Sequence, residues 1–421
     1  MKKIRVVWVC EFSNSQVRQH LKFAKWTPLA ILRKLKGKVG YFDLDVWNTN
    51  AIREFEKFND IELHVIAPHI GITGIQCFRI NGINYHFFYS ENDTLIERFK
   101  VNFFKRIKVG YPKNAKVILN LIDQIKPDIV HYMGAENPHY SESALSLPAG
   151  IPMIVSLQTL MCDPAFKTNY PISQESYDYR SGVEVAVIKR ADFVATIVDH
   201  FRKIVSEQIS EKINFLDMTL ALGEKAVTTS VVEKQYDFVY FAADISKAVD
   251  YAIEAFAVAR RTHKDISLHV IGGYGEAFMN ETKQQLERLG IAEGVDFTGK
   301  LPTYDDVIFE LRKARFALLP LKIDLISGTI RESMANGLPV VTTITPATPN
   351  LNVKRECVLL SEKGDFEAMA ANMCKLLEDE KLVNELSLNG IFTVQEMYDN
   401  KKAMLKWREN YYNILGMRPE S

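Results

Sequence analysis

Cysteine is scarce in this 421-residue chain and unpatterned where it occurs: Cys10, Cys77, Cys162, Cys357 and Cys374 are five in number, and none falls in a CxxC pair. An odd, scattered set excludes a disulfide framework and a thiolate zinc site, and it fits a reducing cytoplasm. Net charge is missing as well, since 52 Lys and Arg offset 52 Asp and Glu. A nucleic-acid protein would carry a basic excess, so nucleic acid is not an expected partner. The nine histidines show no HExxH or comparable metal spacing, and no required metal ion is expected. No run approaches the ~20 apolar residues of a spanning helix. No sustained repeat or low-complexity segment is present.

What is there is an ordinary globular composition, 47% apolar and 25% charged, at a length that suits two well-filled cores. The first residues, MKKIRVVWVCEF, have the charge order of a signal peptide, but Arg5 interrupts it and the apolar run stops after about seven residues. A first buried strand is the better reading. Runs at IRVVWVC, ELHVIA, YHFFY, DIVHYMG, PMIVSL and DFVATIV alternate with helical stretches, which points to α/β layers on parallel sheets. Periodicity fades through INFLDMTLALGEKAVTTSVVEKQ, and the domain join is placed near residue 222. A second series follows, with strands at YDFVYFA, SLHVIGG, VDFTG, ARFALLPL, VVTT and CVLLSE. A closing helix over about residues 396–416 carries Met397, Met404, Trp407, Tyr411 and Leu415.

The stretch DLISGTIRESMANGLPVV (Asp324 to Val341) organises the second half. The strand ARFALLPL feeds a short polar loop that opens a helix, and the helix stops at Gly337 before the β-branched run VVTT. Such a loop lies at the carboxyl end of a parallel strand, where open α/β sheets bind ligands. Free N–H groups at the helix start favour an anion there by about 0.3–1 kcal/mol. Ser327, Gly328 and Thr329 sit at that start, the glycine allowing close approach and the hydroxyls adding donors. Asp324 and Glu332 bracket the loop. Carboxylates beside a phosphate are tolerable where they face hydroxyls or a developing positive charge, and a nucleotide sugar supplies both. Thr329-x-x-Glu332 also fits a capping box, which alone accounts for Glu332 more simply. It leaves Asp324 and the Ser-Gly pair unexplained.

Asp324, seven residues, Glu332 and then SMANGLPVV resemble the acidic pair followed by EAMACGLPVV in retaining glycosyltransferases of family 4. Here Asp stands where the first acid is normally Glu. The resemblance covers roughly residues 235–395. It implies an α/β protein of the GT-B fold, with two Rossmann-like doubly wound domains facing each other across a cleft. An acceptor-side domain would span 1–222, rejoined by the crossover helix at about 396–416, and a nucleotide-sugar donor domain 223–395. By the same resemblance Asp324 lies against the donor sugar, Glu332 takes the ribose hydroxyls, and the loop amides hold the diphosphate. Lys247, in FAADISKAVDYAIEAF, matches the Lys of GRLxxEKGVDLLIEAF that pairs with the diphosphate and would stabilise its departure; a lone surface Lys is otherwise idle. The family Arg before it is missing near Ala242 and Ala243, a loss of about 1.5–3 kcal/mol in leaving-group stabilisation. Lys300, in DFTGKLP, is a candidate substitute. IGGYGE (Ile271 to Glu276) lacks phosphate-loop spacing and reads as the turn after a strand.

In the first domain, HYMGAENPHY offers Glu136 and His139 to an acceptor, with simple solvation as the competing reading. Many family members carry a His at the end of the next strand. Gln158, in PMIVSLQTL, takes its place; it can hold a sugar hydroxyl but not shuttle a proton. GAE with a nearby His, and SxQ, resemble a subgroup that builds bacterial surface polysaccharides. Ser13 and Asn14, in the first strand-to-helix loop, are candidate donors to a phosphate or acceptor. Arg18 to Lys38 and Arg98 to Lys116 each hold seven Lys or Arg and no acid. They are either solvated helix faces or surfaces for an anionic membrane, at about 1 kcal/mol per basic residue.

These readings imply a metal-independent, retaining, hexosyltransferase-type enzyme with no cofactor beyond its nucleoside-diphosphate sugar. Its acceptor would be a saccharide or a lipid-linked saccharide, and its setting cell-surface polysaccharide synthesis in the cytoplasm, with peripheral contact at the inner face of the plasma membrane. The missing Arg and the Gln in place of His favour an alternative, a GT-B-like nucleotide-sugar-binding or scaffold protein with impaired turnover. A sugar-nucleotide epimerase of the same fold is a third reading.

Overall fold

Val6, Val7, Trp8 and Val9 are fully enclosed, the two-sided burial expected at the centre of a parallel sheet. They belong to β1 (Ile4–Val9), so the opening run is a core strand. The computed structural model describes residues 3–24, 41–91, 108–164, 166, 172–221, 232–245, 248–322 and 327–418. The chain divides into two units, Met1–Ala221 with Asn400–Ser421, and Leu222–Asp399.

In unit 1, β1 is joined by β2 (Ile61–His69), β3 (Ile75–Ile80), β4 (Ile83–Tyr89), β5 (Ile129–Tyr132), β6 (Met153–Ser156), β7 (Phe193–Ala195) and β8 (Asn214–Leu216), in the order β3-β4-β2-β1-β5-β6-β7-β8. Every pairing is parallel except β3 with β4. The helices are α1 (Ser15–His20), α2 (Val46–Phe55), α3 (Pro112–Ile125), α4 (Pro138–Ser141), α5 (Gln174–Arg190) and α6 (Asp199–Ile204). α3 shows why such segments are helical. Pro112 opens it, Ile118, Leu121, Ile122 and Ile125 recur on one buried face, and Lys126 ends it at φ 51°.

Unit 2 runs β9 (Tyr236–Asp244), α7 (Val249–Ala259), β10 (Leu268–Gly273), α8 (Glu276–Leu289), β11 (Val295–Gly299), α9 (Tyr304–Leu311), β12 (Ala314–Leu319), α10 (Gly328–Ala335), β13 (Val340–Thr343), β14 (Val358–Ser361), α11 (Phe366–Glu378) and α12 (Glu380–Met397). Its six strands are all parallel, in the order β11-β10-β9-β12-β13-β14. Gly272, at φ 147°, is required by packing: a Cβ there would lie 2.0 Å from the Ala242 carbonyl oxygen. IGGYGE is thus the tight end of β10 against β9.

The closing helix differs from the single one expected over 396–416. The chain breaks at Tyr398–Asp399, so Met397 ends α12 and is exposed, and α13 (Asn400–Ile414) begins afresh within unit 1. Met404, Trp407 and Tyr411 are completely buried there. At one end of α13, Arg408 reaches both Asp60 carboxylate oxygens, at 3.1 and 2.9 Å from Nε and at 2.5 Å from one terminal nitrogen, and the Tyr412 hydroxyl adds a further bond at 2.8 Å. Burial alone would raise the Asp60 carboxyl, but these donors hold it below the ordinary value. Among the described residues no helix is long and apolar enough to cross a membrane.

A buried polar chain ties α13 to the sheet. Trp8 Nε1 donates to the Tyr411 hydroxyl at 2.9 Å, that hydroxyl lies 2.7 Å from His131 Nδ1, and His131 Nε2 lies 2.7 Å from Ser156 Oγ. Indole can only donate, so the arrangement satisfying every group has Tyr411 donating to Nδ1 and Nε2–H donating to Ser156. Burial keeps His131 neutral, its pKa lowered to about 3. Tyr411→Phe strands both the indole N–H and Nδ1, and should lower stability by about 1–3 kcal/mol. A urea midpoint unchanged from wild type would show that the network contributes nothing.

Candidate active site

In unit 2 the chain leaves β9 for β10 and β11 on one side, then returns to β12 and continues to β13 and β14 on the other. β9 and β12 are therefore neighbours whose crossovers diverge. A crevice must open above their carboxyl ends, and a cavity of about 340 Å³, including its open mouth, lies there. Tyr240, Phe241 and Ala242 from β9, Ala248 before α7, Leu319 to Lys322 at the exit of β12, and Ser327 with Thr329 at the start of α10 line it.

Local sequence explains why α10 begins here. Ser327 is the N-cap, in extended conformation; its Oγ accepts the Thr329 N–H at 3.3 Å and lies 2.7 Å from the Thr329 hydroxyl. Nothing lies within 4 Å of where a Gly328 Cβ would be, so the backbone is open to approach from that side. The capping box read as Thr329-x-x-Glu332 does not form, because the cap falls two residues earlier. Glu332 instead accepts a hydrogen bond from the Tyr304 hydroxyl at 2.8 Å. Burial raises its carboxyl above the ordinary range, opposed by that bond and by the charge of Arg331. Asn336 and then Gly337, at φ 72°, end the helix.

Asp324 and Lys247 lie outside the described residues. Lys300 is exposed, its side chain running along Gly273 at 3.5 Å from where a Cβ would stand, near the β9 edge. Two contributors went unread in the sequence. Tyr304 lies 28 positions before Glu332 with no local pattern joining them. Lys322 directly follows LPL at the strand exit, a position whose importance depends on strand order.

The same reversal occurs in unit 1 between β1 and β5. Ser13 and Asn14 follow β1, yet their polar atoms are engaged internally and both are buried. Ser13 Oγ accepts from Arg18 at 3.2 Å and faces His69 Nε2 at 3.2 Å. Asn14 caps α1 through the Val17 N–H at 2.9 Å. In this structure both side chains hold the loop that follows β1. Glu136 follows β5 and is buried, with Oε1 accepting from Asn137 at 3.1 Å and Oε2 without a partner. Burial pushes its carboxyl up to about 7, with backbone N–H groups and Arg180 pulling the other way and Glu11 adding to the rise. Asp45 is raised by burial and by Glu11 and Glu136. His139 lies 3.6 Å from Glu11, and burial lowers its pKa.

Gln158 is half-buried and donates to the Met133 carbonyl at 3.0 Å. The loop beyond it is fastened by Glu184, fully buried on α5, whose two oxygens accept the Met161 and Cys162 N–H groups at 3.0 and 2.9 Å. Asp43, Leu44 and Asp45 form an Asp-x-Asp triplet. Asp43 pairs with Arg18 at 2.7 Å, and no group of three or more His, Cys, Asp or Glu among the described residues is placed to hold a metal ion. Of the two basic stretches, 25–38 and 98–107 lie outside the described residues. The described Arg18 and Lys108 are ion-paired, with Asp43 and with Glu91 at 3.5 Å.

Glu136 generates a pH prediction. Its folded value near 7 exceeds the ordinary ~4.3, so the stability it contributes is complete below the ordinary value and is lost as pH rises through about 7. Urea midpoints of the wild type should fall between about pH 5 and 8, and those of Glu136→Gln should fall less. Parallel curves for the two proteins would rule this carboxyl out as the source.

Residues 236–379 match the family model described as Glycosyl transferases group 1. The chain is 27% identical over 169 residues to the N-acetyl-alpha-D-glucosaminyl L-malate synthase of Bacillus anthracis, covering 40% of this chain and 43% of that protein. It spans less than half the length of the curated relatives it matches. Among solved structures, sucrose-phosphate synthase from Thermosynechococcus elongatus is similar at TM-score 0.70 and 14% identity, over 98% of this chain and 100% of that one. The structure described as trehalose-6-phosphate from E. coli bound with UDP-2-fluoro glucose is similar at TM-score 0.63 and 12% identity, over 97% and 98% of the two chains. The matched segment opens at the first residue of β9 and takes in the whole crevice. The chain has the GT-B fold, and its residues 236–379 are similar to the glycosyl transferases group 1 family.

Proposed function

We propose that this chain is a glycosyltransferase whose donor, a nucleoside-diphosphate sugar, binds in unit 2 at the β9/β12 crevice. One observation carries the reading: the open start of α10 lines the crevice that this sheet order leaves, with the Glu332 carboxylate one turn further along. The N–H of Gly328, with the Ser327 and Thr329 hydroxyls, suits the diphosphate. Glu332, once ionised, accepts from ribose hydroxyls, and Tyr304 keeps its carboxylate aimed. The likeness to a structure described as bound with UDP-2-fluoro glucose supports the donor class.

As the glycosidic bond to the diphosphate breaks, positive character grows at the anomeric carbon and negative charge on the leaving oxygen. Fixed amide dipoles at α10 meet that negative charge without reorganising. In the reading drawn from family resemblance, Lys247 adds to this, Asp324 faces the sugar, and the acceptor hydroxyl attacks from the face the diphosphate leaves, retaining configuration with no metal ion required. The acceptor, a saccharide or lipid-linked saccharide, is assigned to unit 1 near Gln158, Glu136 and His139. Surface-polysaccharide synthesis at the cytoplasmic face of the membrane is the setting proposed.

Turnover of a panel of UDP- and GDP-sugars tests the proposal. Glu332→Ala should lower kcat/KM for the productive donor by about tenfold or more, the worth of hydrogen bonds to a charged group. Tyr304→Phe should lose less. Wild-type turnover retained in Glu332→Ala would remove Glu332 from the donor site. Donor binding with no hydrolysis or transfer would instead speak for a scaffold, and donor interconversion without acceptor for an epimerase.

A further inference from the structure

Lys322 contributes the cation on the described wall of the crevice, and the reading above gives it no task. It leaves β12 directly after Leu319, Pro320 and Leu321, and lines the cavity with Ser327 and Thr329. Its ammonium is ion-paired with Asp250, in the first turn of α7, and sits 4.4 Å from the centre of the Tyr251 ring. Its backbone carbonyl accepts from Lys363 at 3.1 Å, which fixes the strand exit. A ring and a carboxylate thus hold the charge of a residue that lines the same crevice as the α10 start. The second Asp250 oxygen is buried without a partner.

We propose that Lys322 is a donor-binding residue that transfers its ammonium from Asp250 to the diphosphate. The inference rests on the donor assignment given above. Ala242 and Ala243 bring no cation to this wall, and an entering diphosphate carries more charge than one carboxylate, with oxygens able to take two of the three ammonium donors at once. Asp250 keeps a favourable environment when Lys322 leaves, because it lies in the first turn of α7, where free N–H groups favour a negative side chain. The Lys322–Asp250 pair is therefore a resting position for the cation. On this account phosphate recognition at the crevice uses the β12 exit, supplied by a residue type that the surrounding sequence does not flag.

Calorimetry on the full chain with UDP and GDP, and with uridine and guanosine as phosphate-free controls, tests this. Lys322→Met should weaken whichever diphosphate the wild type binds by about tenfold or more, as expected for a lost charge-assisted contact, leave the nucleoside unchanged, and reduce the salt dependence of binding. Lys322→Arg should stay close to wild type. Asp250→Asn should bind the diphosphate as well as wild type or better. A Lys322→Met protein, or a Lys322→Gln protein should the first fail to fold, that binds the diphosphate like wild type overturns the inference and leaves the donor reading standing. Equal weakening in Asp250→Asn also overturns it, since the ion pair would then matter as structure. A wild type that binds neither diphosphate removes the donor reading and this inference together.

Discussion

The arrangement of both units follows from one constraint, that a parallel strand cannot return to its neighbour without a crossover. Where consecutive crossovers run to opposite sides of a strand, the space above the shared carboxyl ends stays uncovered. β1 and β9 are those strands. Each described residue lining the unit 2 crevice is there because it belongs to the exit of β9 or β12, or to the start of the helix that follows. The backbone N–H groups at the start of α10 need partners in a place where the fold supplies little protein to provide them.

The two crevices differ in charge, and that difference supports the division of ligands. In unit 2, Lys322 stands at the wall and α10 presents its positive end, while Glu332 is set back and already takes one hydrogen bond. In unit 1, burial raises the affinity of Glu136 and Asp45 for protons, Glu11 adds to both, and Glu136 adds to that of Asp45. An anion brought there meets fields that already push carboxyls towards neutrality. A hydroxyl-rich or amine-bearing group meets acceptors. Diphosphate in unit 2 and sugar acceptor in unit 1 is the assignment in which each ligand meets opposite or neutral charge.

Elements whose stabilisation is local were legible in the sequence. ARFALLPL and VVTT are enclosed runs in the middle of a sheet, and the Gly337 stop needs only its own φ. The edge strand β3, IQCFRI, was not legible, because its burial alternates between exposed and intermediate up to a single buried Ile80 while its apolar residues do not follow that alternation, Ile75 lying on the exposed face. β8 has only three residues. The helix start was placed correctly, but its cap was off by two positions, since Ser327 and Thr329 are both good caps and only the fold decides between them. The contacts that shape the site join distant positions: Tyr304 to Glu332, Asp250 to Lys322 across 72 residues, and His131 to Tyr411 across 280. A hydroxyl or a lysine has no period by which sequence could announce such a partner.

The precision of the unit 2 site is set from behind. α10 has eight residues, too few to be stable as a helix without packing, so its position is the one α12 gives it. Leu386, Gly390 and Val394 form a buried stripe on α12. At Gly390 a Cβ would come within 3.3 Å of the Met334 Cβ, and Ser387 Oγ donates to the Gly337 carbonyl at 2.8 Å. A glycine inside a helix costs about 1 kcal/mol relative to alanine, and here it lets the two helices approach closely. Ile330 and Met334 are enclosed on the far side of α10, and Arg331 lies 5.1 Å from the centre of the Tyr398 ring at the end of α12. Fixed at its back face and at its last turn, the helix has one free end, and that end is the one directed at the crevice.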